Sequence, residues 1–505
     1  MLHNWKKYFT RLQVFSILLS IFFAPNNLFL KLLPNTGYVH GLQIDYLIPK
    51  LFLTDLLMLS SILLEILKNF HQIKHTMLKA CTQFINNSQL TTHNSQQQKQ
   101  SYLPLTFSFY LLACTFFFSH QLFTPFPILA FWQMFRITLF IVFFFLVKNT
   151  KAVSKNMLIK TFFASIFFQV VFGFGQFLSQ HSLTPYRLLG ETQLHNQPYL
   201  ARADFSWLDI FIGTNFGLRV LPYGLTPHPN VLAGFLVLGI VVLTSKYQTQ
   251  QRSKTATKKV HNLPQKTPNK SKTQKLKSFI DTFTFYLLFI IFFIALFLTQ
   301  SLSAWIALVL FTLFYHFFQR HNLQLKKLMP KHLNSYILLS IGFLLLFLLT
   351  PLILTYFKKL NFQTPGMDKL SLSRRVELND SAWKMFSQNL VFGVGFNQFS
   401  AFVEEYSDSK EVVSFAQPAH HVGLLFLAEN GIIGASLLLL LSLWANKKLT
   451  TNNSHFTAFN TFLPPAFCLL PILSLDHYVY SLNQGWWMIF IIAFLISKPS
   501  PSITT

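Results

Sequence analysis

The chain has 505 residues, of which 52% are hydrophobic and only 11% are charged, and it contains 60 phenylalanines. This composition excludes an ordinary soluble domain and predicts an integral membrane protein. The net charge of +25 would suggest nucleic acid as the partner of a soluble protein. Here the charge lies on alternate loops, so we expect membrane lipids and no nucleic acid as partners.

A segment needs about twenty apolar residues to cross a bilayer, and about twelve segments of the chain fit. The predicted fold class is all-α: a polytopic membrane protein with about twelve transmembrane helices and a large, partly helical outward loop. The predicted helices are centred near Leu18, Leu56, Leu111, Leu139, Phe168, Phe235, Leu288, Leu308, Phe343, Leu427, Phe467 and Ile491.

Basic residues fill one set of loops, and most acidic residues lie in the other set. The positive-inside rule then predicts a multi-pass protein of the cytoplasmic (inner) membrane with both termini in the cytoplasm. The predicted regions are about five N-terminal spans (1–180), a first outward loop (181–228), central spans (229–356), a large outward loop (357–420) and C-terminal helices (421–505). Segment 248–277 is basic and poor in apolar residues, which predicts a disordered cytoplasmic loop.

Arg136 stands near the middle of the apolar stretch FWQMFRITLFIVFF. An arginine inside a bilayer usually faces a polar cavity, where it can contact a ligand. A buried structural pair with Asp55 or Glu65 is an equally good interpretation.

Arg219, Arg374 and Arg375 lie in predicted outward segments, where the topology does not require positive charge. A guanidinium group pairs with phosphate oxygens through two hydrogen bonds and stays protonated, so these residues suit the binding of a diphosphate. The alternative for any one of them is a solvated pair with Glu377 or Asp380. Residues 373–389 read as an amphipathic helix at the membrane interface, with Arg375 near its start.

His420 and His421 stand where the large outward loop meets the next apolar segment. A neutral imidazole is well suited to take a proton from an attacking hydroxyl group. No neighbouring residues have metal-ligand spacing, so we predict no metal site. Glu429, in the following helix, can orient an imidazole or complete the hydrogen-bond network around it, or it can pair with Asn430 or with the backbone near Gly431. We predict the supporting role beside the histidines.

These residues together resemble the O-antigen ligase-related family, which includes O-antigen ligases, O-antigen polymerases and protein O-oligosaccharyltransferases. The similarity rests on Arg375, on Gly393-Val394-Gly395, on His420 with Glu429 nine residues later, and on Gly-Ile-Ile-Gly. The stretch PYGLTPHPNVLAGFL is similar to the start of the family domain. The resemblance covers about residues 219–434.

The resemblance implies an enzyme that uses a polyprenyl diphosphate-linked glycan as donor and a lipid, sugar or protein hydroxyl as acceptor. It implies that His420 or His421 is the base, that Arg375 binds the diphosphate, and that no metal or cofactor takes part. The chain departs from the family at Leu302, where an arginine is expected. Arg219, Arg374 or Arg136 would then supply the missing contact.

Two other interpretations remain open. A transporter or flippase of lipid-linked glycans also needs many spans, but it more often shows internal repeats and ionisable residues within its helices. The other interpretation is a degenerate relative of the family that has only a structural role.

The segment SLDHYVYSLNQGWW, with Asp476, His477 and Tyr478, either lines the acceptor entrance or forms an interfacial aromatic belt, and the belt is favoured.

Overall fold

The computed structural model describes residues 2–88, 115, 118–194, 200–209, 217–260, 272–322, 347–356, 358, 369–450 and 469–497. Within these residues the protein is mostly helical. The longer helices are α1 (Leu2–Phe22), α2 (Leu53–Ser88), α3 (Pro127–Asn149), α4 (Lys155–Ser179), α5 (Pro229–Val260), α6 (Lys272–Leu298), α7 (Leu302–Asn322), α8 (Phe347–Tyr356) and α9 (Lys369–Gln388). They are followed by α10 (Phe399–Tyr406), α11 (Lys410–Val413), α12 (Val422–Thr450), α13 (Leu469–Leu475), α14 (Tyr478–Ser481) and α15 (Asn483–Ser497).

Five of the described helices are long and apolar enough to cross a membrane. They are α3, α4, α5, α6 and α12, and they contain five of the predicted span centres. Three described helices, α7, α8 and α15, are apolar but shorter, and the centres at Leu308 and Ile491 lie in α7 and α15. The predicted helical fold is confirmed, but the count of about twelve spans is not. The centres at Leu111, Phe343 and Phe467 lie outside the described residues.

Helix α5 occupies the middle of the apolar bundle. The apolar part of α5 is 78% buried, whereas the apolar part of α6 is only 17% buried. Helix α6 therefore lies at the periphery of the bundle. One cluster of buried apolar side chains joins α5 to helices α1, α3, α4, α6, α7, α13 and α15. Proline at the first position of α5 suits a helix start because its missing N–H has no helical partner there. The polar residues just before this proline therefore lie at the end of the central helix.

Three short antiparallel strand pairs were not predicted. Strand β1 (Phe29–Lys31) pairs with β4 (Lys50–Phe52), β2 (Tyr38–Val39) with β3 (Leu42–Gln43), and β5 (Arg202–Asp204) with β6 (Leu218–Val220). The registers place Phe29 opposite Phe52 and Ala203 opposite Arg219. Strands of two or three residues are too short to show the period of two that identifies a strand in a sequence.

The segment predicted as a disordered loop, 248–277, is partly helical. Helix α5 continues to Val260, and α6 begins at Lys272; residues 261–271 lie outside the described part. Between Gln248 and Val260 the sequence is rich in Lys, Gln and Thr and contains neither Gly nor Pro, so no strong helix breaker follows the apolar portion of the helix. The low apolar content hid this extension.

Candidate active site

Helix α9 carries the arginine pair and packs against α10 and α12. The predicted amphipathic segment is a helix, and its buried residues Leu378, Ala382 and Met385 belong to a second apolar cluster. This cluster also contains residues of α10 and α12. The apolar side of α9 therefore faces protein, which fixes the direction in which Arg374 and Arg375 point.

The Gly-Val-Gly loop docks against a break in α12. The N–H groups of Val394 and Gly395 donate to the carbonyls of Ala428 and Glu429 at 2.9 and 3.0 Å. The break is at Gly431, whose φ is 58°. A side chain on Gly393 (φ 70°) would collide with the backbone of Glu429 at 2.4 Å. These glycines thus allow two backbones to meet and hold the start of α12, next to the histidines, in place.

Glu429 stabilises this junction and does not contact an imidazole among the described residues. Its Oε1 accepts a hydrogen bond from the N–H of Phe399 at 3.1 Å, and its Oε2 accepts one from the Tyr480 hydroxyl at 2.8 Å. The first bond caps the start of α10. These partners, Phe399 and Tyr480, are neither the imidazole nor the Asn430 that the sequence suggested for Glu429.

His421 is buried and both of its ring nitrogens are occupied. Its Nδ1 accepts a hydrogen bond from the N–H of Leu424 at 3.1 Å, so this nitrogen carries no proton. Its Nε2 lies 2.9 Å from the carbonyl of Phe347, to which an N–H at that position donates. An imidazole with both nitrogens bound in this way is a neutral structural group, and it has no free lone pair for a substrate.

His420 faces a carboxylate that sequence reasoning did not place at the site. Its Nδ1 lies 3.9 Å from Asp476 Oδ1, too far for a hydrogen bond. The His420 ring also meets His477 edge-on, with centroids 5.1 Å apart. Burial lowers the pKa of His420, and the nearby Arg375 acts in the same direction, while Asp476 opposes them. The ring is therefore neutral near pH 7, as a general base must be.

Asp476 is the centre of a polar cluster between the helices and is only 4% exposed. Its carboxylate accepts hydrogen bonds from the Ser303 hydroxyl at the start of α7 and from Asn230 Nδ2 at 3.0 Å at the start of α5. Arg375 Nη2 lies 3.9 Å from the same carboxylate. Burial acts to raise the pKa of Asp476, but His420, Arg375 and Ser303 together lower it to about 2. A charged Asp476 is thus built into the site.

The two neighbouring arginines of α9 have different surroundings. Arg375 joins the Asp476 cluster, whereas the Arg374 guanidinium lies 5.5 Å from the centre of the Phe415 ring. The Nε of each arginine is buried and has no hydrogen-bond partner in the described part of the chain. Buried donors are normally satisfied, so both groups are suited to an anionic ligand.

Arg136 belongs to a different place in the structure. Its Nε donates to Asp55 at 3.2 Å, and its other nitrogens donate to Gln133 and Asn483. Both members of the ion pair are almost fully buried. This is the structural pair that the sequence left as the alternative, and none of the contacts described for Arg136 reaches the His420 cluster.

Arg219 lies in strand β6, between α4 and α5. Its Nη1 is 3.3 and 3.4 Å from the carbonyls of Phe177 and Leu178 at the end of α4. Its guanidinium also lies 6.0 Å from the centre of the Phe177 ring. The contacts described for Arg219 join the strand pair to α4, and none of them involves His420 or Asp476.

Asp476 was interpreted from the sequence as part of an interfacial aromatic belt, but the structure buries it beside His420 and Arg375. A signal for it existed: an aspartate between apolar helices is expensive unless it is paired, and such residues usually mark function. Ser303 and Asn230 gave no signal of their own. Leu302, where an arginine was expected, is the first residue of α7 and adjoins Ser303.

The described residues contain no group of three histidine, cysteine or acidic side chains arranged to hold a metal.

Comparison with known proteins agrees with the resemblance read from the sequence. The O-antigen ligase family model matches residues 287–439, a segment that contains Ser303, Arg375 and His420. The match begins later than the predicted similarity, which started near residue 219. No curated protein matches the chain.

Proposed function

We propose that the chain is a membrane glycosyltransferase. It transfers or polymerises a glycan from a polyprenyl diphosphate-linked donor onto a hydroxyl acceptor, at the outer face of the cytoplasmic membrane. The observation that carries this proposal is the convergence of His420, Asp476 and Arg375 from three separate segments of the chain. The O-antigen ligase match over residues 287–439 supports the same class of reaction.

His420 acts as the general base in this proposal. Its Nδ1 faces the Asp476 carboxylate at 3.9 Å, and in this proposal its Nε2 takes the proton of the acceptor. A shortening of about 1 Å would give a normal hydrogen bond, and catalytic contacts are commonly long before substrate binds. Asp476 would then hold the ring in the correct tautomer and stabilise the imidazolium that forms when the proton arrives.

The reaction balances without an oxidant or a nucleotide. The acceptor oxygen forms a bond to the anomeric carbon of the donor as the bond between that carbon and the diphosphate oxygen breaks. The electron pair leaves with the polyprenyl diphosphate, and the acceptor proton moves to His420. Arg375 and Arg374 offer buried guanidinium groups that can stabilise the charge developing on the leaving group.

The acceptor is a hydroxyl group of a lipid, a sugar or a protein. These correspond to a ligase, a polymerase and a protein glycosyltransferase, which share the donor chemistry and differ in what enters beside His420. The product of the reaction identifies the acceptor.

The test is glycan transfer in cells whose own ligase is deleted, with equal expression of all variants verified. We expect the wild-type chain and His181→Ala, a control histidine exposed in the first outward loop, to transfer glycan, and His420→Ala to fail. Equal transfer by His420→Ala would remove His420 as the base. Movement of the lipid-linked glycan across the membrane without transfer would support the transporter alternative instead.

A further inference from the structure

His228 is a second fixed imidazole beside the Asp476 cluster. It is the residue immediately before α5, and its Nδ1 accepts a hydrogen bond from the N–H of Asn230 at 3.1 Å. Its carbonyl accepts from the N–H of Val231 at 3.0 Å and from the Thr226 hydroxyl at 2.9 Å. With Nδ1 occupied as an acceptor, the proton of the neutral ring is on Nε2. The ring is thus held at the end of the central helix with an N–H donor at its far side.

The same short segment ties His228 to the proposed active site. Asn230, which contacts the His228 ring through its backbone, donates its side-chain amide to Asp476 at 3.0 Å. His228 is also within electrostatic range of Asp476, Arg375 and His420. Asp476 is buried and the side chains of Arg375 and His420 are at most 14% exposed, whereas His228 is exposed. His228 is therefore the member of the group that is open to an arriving ligand.

The charges at the site are compatible with one more hydrogen-bond donor to an anionic ligand. A polyprenyl diphosphate-linked glycan carries two negative charges, and its leaving group gains a third. Arg375 is already close to the Asp476 carboxylate, so its positive charge is partly balanced. Leu302, at the start of α7, brings no charge to the neighbourhood of Ser303. The hydrogen bonds described for His228 involve its Nδ1 and its carbonyl, and none of them involves Nε2.

We propose that His228 binds the diphosphate of the glycan donor through its Nε2–H. This inference rests on the proposed function. It assigns a specific contact to a residue outside the segment matched by the O-antigen ligase family, which begins at residue 287. It also accounts for a diphosphate site in which one expected arginine is replaced by leucine.

Two substitutions separate this role from the role of His228 in starting α5. In His228→Asn, the amide oxygen can take the place of Nδ1 and accept from Asn230, but the side chain is too short to replace Nε2. In His228→Gln, an amide N–H can reach the position of Nε2. The exposed His181 in the neighbouring outward loop provides the matched control, as His181→Asn.

The experiment measures binding of undecaprenyl diphosphate to the purified full-length chain in detergent, with undecaprenol as the uncharged reference ligand. We expect His228→Asn to weaken diphosphate binding about tenfold to a hundredfold, the range for a hydrogen bond to a charged group. His228→Gln should recover part of the loss. His181→Asn should bind as the wild type does, and undecaprenol binding and the melting temperature should be unchanged in every variant.

Three results would overturn the inference, and they are distinguishable. Wild-type affinity in His228→Asn would exclude His228 as a ligand contact and leave the proposed function standing. Equal weakening of binding by Asn and Gln, together with a lower melting temperature, would show that His228 serves only the start of α5. Failure of the wild-type chain to distinguish undecaprenyl diphosphate from undecaprenol would overturn the proposed donor as well.

Discussion

Replacing Asp476 by asparagine removes the charge of this side chain while keeping most of its hydrogen bonds. The Asn oxygen can still accept from Asn230, and the Asn amide can donate to Ser303, because a hydroxyl group both donates and accepts. The free energy of unfolding should therefore fall by no more than about 1 kcal/mol, the net value of one hydrogen bond. What is lost is the negative charge 3.9 Å from both His420 and Arg375.

The expected effect on transfer is much larger than the effect on folding. Without the carboxylate, the His420 ring has no partner to fix its tautomer and no charge to stabilise its protonated form. The contribution of a general base is about 10²- to 10⁴-fold, or roughly 3–5 kcal/mol in activation free energy. The assay is the rate of glycan transfer by membranes containing equal amounts of each variant, together with the melting temperature of the purified proteins.

Ser303→Ala is the matched control for Asp476→Asn. It deletes one hydrogen bond to Asp476 but keeps the charge, so transfer should fall by less than about tenfold. Transfer by Asp476→Asn at nearly the wild-type rate, with an unchanged melting temperature, would refute the coupling of Asp476 to His420. An equal loss of transfer in both variants would show that transfer depends on the hydrogen bonds of Asp476 and not on its charge.

Three further predictions concern residues away from the proposed base. His421→Ala should lower the free energy of unfolding by about 1–3 kcal/mol, because the two backbone groups bound by its ring lose their partner. The folded protein should keep its transfer activity, and a loss of transfer at unchanged stability would contradict the structural role of His421. Arg136→Met should lower the free energy of unfolding by about 3–5 kcal/mol, because it leaves Asp55 as a buried unpaired charge. The double variant Arg136→Met with Asp55→Leu should regain most of this loss, and equal melting temperatures for the single and double variants would argue against the Arg136–Asp55 ion pair. The hydrogen bond to Glu404, and then its charge, raise the pKa of His40 above 6.5, so this contact is fully present below that pH and is lost as the pH rises through the raised value. Hydrogen exchange of the hairpin that carries His40, corrected for the intrinsic rate, should therefore increase between about pH 6 and pH 9 in the wild type and stay constant in His40→Gln; equal pH dependence in both would refute the link.

Composition and periodicity predicted much of the helical framework because long apolar segments have few alternatives in a membrane. The helix that carries Arg375 was also predictable, since its apolar residues recur at helical spacing over residues 373–389. The strand pairs and the extension of α5 to Val260 were not predictable from pattern. They depend on contacts between distant segments, or on the absence of a helix-stopping residue.

The residues of the proposed site also differ in whether they could be predicted from the sequence. His420 and Arg375 stand out in the sequence because polar residues gather in one long segment that was predicted to face outward. Ser303 and Asn230 were not singled out as site residues because their role depends on where helix ends meet, and Asp476 was singled out but was assigned to an aromatic belt. Arg136 shows the opposite case: its charge stands out in the sequence, yet its contacts are those of a structural ion pair with Asp55.

The most direct test of the proposed chemistry is a reconstituted reaction with a polyprenyl diphosphate-linked glycan, comparing the full-length wild-type chain with His420→Ala. The measurement is the release of polyprenyl diphosphate together with the glycan that reaches the acceptor. We expect the wild type to release one polyprenyl diphosphate for each glycan transferred, and His420→Ala to do neither at a measurable rate while melting at the wild-type temperature. Transfer by a folded His420→Ala at the wild-type rate would contradict the assignment of His420 as the base.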